Sequence, residues 1–258
     1  MISAWLDLPV VGIFGWLTIL YAGTGSLVAW LAFLSPLRDA IQRLGGIVAP
    51  YFASIALVFA LLTGFLAGDI SDRFKQAVRA VQVEAGALSG LDALTLAAPL
   101  DAKPIRAALA AYVEALVKDE WPRMTRGETS AKADAALTAL LRAVAAPQAA
   151  PATREAVHYG LVELGIQAAT ARSDRIALNS RQTDEIKWMA VLLLGLITQL
   201  SIGMVHLDKA RAHVAAVAVF SLAAMVALGT IAVQEAPFDG PLRIPPEPLE
   251  RVLRAVAT

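Results

Sequence analysis

Between Ile47 and Ala67 the chain carries no charged side chain, and the polar run that follows holds no proline. About twenty apolar residues suffice for a helix to cross the hydrocarbon core of a bilayer. Beyond them, Gly68-Asp69-Ile70-Ser71-Asp72-Arg73-Phe74-Lys75 turns polar yet keeps a helix-compatible pattern to about Leu88. The expectation is one long helix over 47–88, half in lipid and half in water.

That span is uneven around its axis. Leu57, Leu61 and Phe65 are four apart and stack on one bulky stripe. Ala53, Ala56, Ala60, Thr63 and Ala67 recur at three or four and form an adjacent seam of small residues, the kind that lets membrane helices approach closely. Two arrangements use such a surface. Copies of the helix can ring an axis, or the stripe can fill the core of a single four-helix bundle.

The rest of the chain fits a polytopic membrane protein. Its 258 residues are 57% hydrophobic, with a mean hydropathy of +0.61. Four spans are expected, at about 8–34, 47–66, 186–205 and 214–233. Between the second and third lies an alanine-rich helical region, 67–185, and a proline-rich tail occupies 234–258. Within the middle region Ile105, Leu109, Tyr112, Val113, Leu116 and Val117 repeat at helical spacing, with a stop expected at Glu120-Trp121-Pro122. A shorter helix follows over 130–144, then a loop at 147–151. A long helix from Thr153 to about Arg181 is expected to feed the third span. Lys and Arg near span ends set orientation. Arg73, Lys75, Arg79, Arg172, Arg175, Arg181, Lys187, Arg243, Arg251 and Arg254 outnumber Arg38, Arg43, Lys209 and Arg211. Both termini and the middle region are therefore expected in the cytoplasm.

Absences narrow the chemistry. The chain has no cysteine, so disulfides, thiolate metal sites and thiol catalysis are excluded. His158, His206 and His213 show no metal-ligand spacing and read as surface or interface residues. Zero formal charge implies no nucleic-acid partner. Apart from Lys187 at the edge of the third span, no Asp, Glu, Lys, Arg or His falls inside the four spans as drawn, which disfavours proton-coupled transport. The soluble-enzyme signatures for phosphate loops, zinc hydrolases and serine hydrolases are missing. No catalytic residue, cofactor or metal is expected. Asp69 and Asp72 are spaced for a cation, although pairing of Asp72 with a nearby arginine is the simpler reading.

The second span carries a resemblance. Leu61 to Phe74 resembles the second-span signature of bestrophins: Gly64-Phe65 matches the Gly-Phe pair, Asp72-Arg73 the Asp-Arg pair at the same separation, and Phe74 stands for a tryptophan. The tail Ala236-Pro237-Phe238-Asp239-Gly240, followed by Ile244-Pro245-Pro246, resembles the closing motif of a bacterial bestrophin-like family of unknown function. Glu84, Glu120-Trp121, Arg172 and Arg175 also look like that family.

The resemblance implies an all-α membrane protein of four transmembrane helices with long cytoplasmic helical extensions, forming one domain over 1–258. It further implies a homo-oligomer, by analogy a pentamer, in a bacterial inner membrane. In bestrophins three residues four apart line a hydrophobic neck for permeating ions; those positions fall on Leu57, Leu61 and Phe65. Gly64, Asp72, Arg73, Glu84, Glu120, Trp121, Arg175, Pro237, Phe238 and Gly240 take structural roles under the same resemblance. Leu66 stands where the bestrophin motif has arginine, and Ala67 and Gly68 where it has asparagines. Two functions follow: an ion channel restricted by a hydrophobic neck, or a non-conducting scaffold or sensor whose cytoplasmic helices bind a partner.

Overall fold

A computed structural model describes residues 2–43, 49–98, 101–146, 153–179, 185–240 and 242–256, and every regular element among them is helical. In chain order these are α1 (Ile2–Leu6), α2 (Val10–Phe33), α3 (Arg38–Gln42), α4 (Ala49–Ala97), α5 (Lys103–Ala115), a π turn (Leu116–Glu120), α6 (Trp121–Met124), α7 (Ala131–Ala145), α8 (Thr153–Asn179), α9 (Glu185–Val205), α10 (Ala210–Ala232) and α11 (Glu247–Val256). Four of them, α2, α4, α9 and α10, are long and apolar enough to cross a membrane. The expected loop at 147–151 and the junction between α8 and α9 lie outside the described residues.

The helix through the second span is unbroken, and it continues to Ala97, past the expected limit near Leu88. At 1.5 Å per residue its 49 residues are about 73 Å long. Leu88, Leu91 and Thr95 hold it in place, all buried at helical spacing.

The chain divides into two compact units. The first comprises 1–72 and 182–235. Its core is built on Ile13, Leu17 and Tyr21 of α2, Leu66 and Ile70 of α4, Trp188 and Val191 of α9, and Leu228 of α10. Trp5 closes one end. Its ring lies 4.8 Å from Trp16 and edge-on to Trp188 at 5.2 Å, and its indole N–H donates to the Ile13 carbonyl. Gln199 braces three helices. Its amide donates to the Tyr21 carbonyl at 2.7 Å and to Ser221 Oγ at 2.8 Å, while its oxygen accepts from Thr24 Oγ1 at 2.7 Å. Gly25 leaves room for that reach, since a Cβ there would sit 3.0 Å from Gln199 Nε2.

Two expectations for this unit are corrected. The fourth span starts at Ala210 rather than 214, because the His213 N–H already bonds to the Lys209 carbonyl at 2.9 Å. Its first turns therefore contain Arg211 and His213. And His213 is no surface residue: it is fully buried, with Nδ1 2.9 Å from the Gly203 carbonyl and its ring edge-on to Phe33.

The second unit comprises 73–181 and 236–258. Its core gathers Val81 and Leu88 of α4, Leu109 and Tyr112 of α5, Leu140 of α7, Leu161 of α8, Phe238 of the tail and Leu249 of α11. The helix beginning at Lys103 does not stop at Glu120-Trp121-Pro122. A proline lacks the N–H that an α-helix needs. Here the preceding turn widens to π geometry, with the Trp121 N–H bonding to the Leu116 carbonyl, and the helix passes the proline to Met124. The wide turn also brings Trp121 onto the buried face of Leu116. The stop comes at Gly127, whose φ of 71° suits glycine. The Glu128 N–H returns to the Arg123 carbonyl and the Gly127 N–H to that of Met124, a Schellman closure. Ser130 then caps α7, accepting from the Ala133 N–H at 3.0 Å and donating to Asp119.

Candidate functional site

The expected site residues fall into two groups, one in each unit. In the first unit, α4 turns Phe59, Leu62, Leu66 and Ile70 toward its sister helices. The opposite face carries Leu57, Leu61 and Phe65, which are 68%, 56% and 62% exposed. Of the two arrangements open to the bulky stripe, filling the protomer's own core is therefore ruled out. The small seam is split: Ala53 and Ala60 are exposed beside the stripe, whereas Ala56, Thr63 and Ala67 are partly buried. Gly64 and Gly68 lie on the exposed face, and a Cβ at either would meet nothing within 4 Å. At the polar end of this face, Asp69 forms an exposed ion pair with Lys187 at 2.7 Å. Asp72 is exposed there as well.

In the second unit, residues far apart in sequence converge on a buried charge cluster. Glu84 comes from α4, Glu120 from the π turn, and Arg172 and Arg175 from successive turns of α8; all four are buried. Arg175 Nε donates to Glu84 Oε2 at 2.7 Å. Its Nη2 donates to Glu84 Oε1 at 3.1 Å and to Glu120 Oε1 at 2.7 Å. Arg172 grips Glu120 through Nε and Nη2, and reaches the half-exposed Asp134 at 2.7 Å. The Tyr112 hydroxyl donates to Glu84 Oε1 at 3.0 Å, and Arg175 Nη1 contacts the Met124 sulfur.

The electrostatics follow from burial against pairing. Burial pushes the Arg175 guanidinium down, but Glu84 and Glu120 outweigh it and hold the group above its ordinary range. Arg172 is held up in the same way by Glu120 and Asp134. Burial, with Glu84 second, raises the Tyr112 hydroxyl well above the ordinary tyrosine value. Two buried carboxylates face two buried guanidiniums, with the half-exposed Asp134 at the edge, and each buried carboxylate is held by several donors. Such an arrangement clamps α4, the π turn and α8 together.

The tail motif joins the same cluster. Arg175 lies over the Trp121 ring, 5.2 Å from its centroid, and Phe238 meets Trp121 edge-on at 5.8 Å. Pro237 is buried, and its carbonyl accepts from the Ile244 N–H at 2.7 Å. The Gly240 N–H bonds to the Ala236 carbonyl at 2.9 Å, and a Cβ on Gly240 would lie 2.6 Å from that oxygen, so only glycine closes this loop unstrained. Arg73 is apart from the cluster and donates to the Leu178 carbonyl at 3.3 Å. Tyr112, Met124 and Asp134 are members that the sequence did not single out. Tyr112 lay on a helix face read only as apolar, and nothing local marks the other two.

A family model described as a Bestrophin-like domain matches residues 19–249, almost the whole chain. No curated protein and no solved structure matches.

Proposed function

Because this chain belongs to the bestrophin-like family, we propose that it is the protomer of a homo-oligomeric ion channel, by analogy a pentamer, with the exposed face of α4 lining its neck. Leu57, Leu61 and Phe65 form the constriction in this reading, and Gly64, Asp72 and Arg73 fix its register. One observation carries it: three large apolar side chains, four apart on a spanning helix, are left uncovered by their own protomer. A ring of such side chains restricts permeation by dewetting rather than by charge.

The protomer sits in the inner membrane of a bacterium with both termini and the middle region cytoplasmic. The excess of Lys and Arg on that side supports the orientation. So does the shared core of 73–181 and 236–258, since two spans separate these segments and return the chain to the same side. The charge cluster of Glu84, Glu120, Trp121 and Arg175, with Pro237, Phe238 and Gly240 behind it, serves as a structural clamp.

Ion flux into liposomes tests the channel. Leu61→Ala or Phe65→Ala is expected to raise flux while the oligomer keeps its mass. Absence of flux in wild type and variants, with the oligomer intact, would sink the channel reading. That result would favour a non-conducting scaffold; the exposed Tyr159 and Ile166, seven apart on α8, offer it a surface for a partner.

A further inference from the structure

A groove of about 570 Å³ runs between α2 and α10 in the first unit. Its walls are mostly apolar. α2 contributes Ala22, Ser26 and Trp30, and α10 contributes Val214, Ala218 and Met225. Small side chains on both helices make the surface concave while the larger ones bound it. From Tyr21 to Leu34 the groove follows α2 for about 20 Å at 1.5 Å per residue. One leaflet of a hydrocarbon core is roughly 15 Å deep, so the groove reaches through about one leaflet.

Both walls are helices of membrane-crossing length and apolarity, so the surrounding medium is lipid. Water does not settle in an apolar recess that gives it too few polar partners. An empty recess forfeits the dispersion contacts of every atom lining it. An acyl chain satisfies both conditions.

The end of the groove at Leu34 and Ala210 adds a charge preference. Lys209 and Arg211 flank Ala210 and are exposed. Arg38 is exposed at the same end, paired with Asp39 at 3.3 Å, and Asp208 is the other acid there. Lys209 and Arg211 thus leave net positive charge where a headgroup would lie.

We propose that this groove is a binding site for an anionic phospholipid, its acyl chain between α2 and α10 and its phosphate beside Lys209 and Arg211. The site rests on the spans alone and is independent of conduction.

Trp30 is 49% exposed in the groove wall and reports the occupant directly. The full-length protein is reconstituted in phosphatidylcholine containing phosphatidylglycerol brominated on its acyl chains, and tryptophan quenching is compared with that by brominated phosphatidylcholine. Phosphatidylglycerol is expected to quench at lower mole fraction, and Trp30→Phe to remove the excess. Ala218→Leu and, on the opposite wall, Ser26→Leu fill the groove at exposed positions and should each abolish the excess without changing oligomer mass. Lys209→Gln and Arg211→Gln should weaken the preference roughly fivefold each, the usual contribution of one cation beside an anionic surface. Equal quenching by the two lipids, or an excess that survives both fillers, overturns the proposal. So does a change of oligomer mass in either filler, which would make the groove a contact between copies.

Discussion

Arg175→Met is the sharpest perturbation of the charge cluster. Methionine keeps an unbranched apolar stem but removes the charge and every donor. Arg175 is fully buried and supplies two bonds to Glu84 and one to Glu120. After the change Glu120 keeps its grip on Arg172, whereas Glu84 retains only the Tyr112 hydroxyl among these partners. One carboxylate is therefore left buried and uncompensated. Breaking a buried pair on one side costs about 3–5 kcal/mol. In a unit of this size each 1 kcal/mol lowers the midpoint by a few degrees, so a fall of roughly 10 °C or more is expected. Arg172→Met should cost less, because Glu120 retains Arg175 and Asp134 is exposed enough to be hydrated. Glu84→Gln added to Arg175→Met should restore much of the loss, since a neutral amide is far cheaper to bury. The assay is thermal unfolding of the detergent-solubilised protein, followed by tryptophan emission, to which Trp121, stacked on Arg175, contributes from the second unit. A shift below about 2 °C for Arg175→Met, well under the few degrees expected per kcal/mol, would refute the clamp, as would additive losses in the double variant.

Tyr112 should give the second unit an alkaline limit. Its raised value means the folded state holds the proton more tightly than the unfolded chain. The associated stability is fully present below the unfolded value of about 10 and is lost as pH rises above it. Melting between pH 9 and 11.5 should show this limb, and Tyr112→Phe should flatten it. Gly195→Ala drives a methyl into the Tyr21 hydroxyl, a buried group with no hydrogen-bond partner among the described residues, and should cost about 1–3 kcal/mol. Tyr21→Phe should rescue it, measured by melting of the double variant. Gln199→Leu removes three interhelical bonds at roughly 0.6 kcal/mol each, and differential melting in micelles should record a loss of about 1–2 kcal/mol.

The spans were legible because membrane insertion writes itself into composition: α2 and α9 begin and end close to where apolar runs do, and α4 begins close to where one does. The start of α10 was less so, since Arg211 and His213 look like loop residues until Gly203 and Phe33 are seen to cover the histidine. Pro122 signalled a stop that the chain avoids by widening one turn. The real stop, Arg126-Gly127-Glu128, carried an ordinary glycine signal that the proline overshadowed. The charge cluster was half visible. Family resemblance marked Glu84, Glu120, Arg172 and Arg175 one by one, but Glu84 and Arg175 are 91 positions apart. Nothing local says they meet. Their partnership is fixed by how α4, the π turn and α8 pack, which is a property of the assembled core.

The second unit is assembled from segments that leave the ribosome at different times. Residues 73–181 emerge before either α9 or α10 has been made, while Phe238, Ile244, Leu249, Val252 and Val256 of the same core emerge after both. Between the two events lie several seconds of translation. During that interval Trp121 lacks Phe238, and the faces awaiting α11 stay open to chaperones and proteases. In the topology proposed above, a nascent chain that inserts its last two spans brings the closing segment back to the waiting core. One that stalls, or inserts a single span, delivers it to the wrong compartment and leaves the core open. In that topology the second unit closes its core only after the last two helices of membrane-crossing length have been made, and the tail is the segment that closes it.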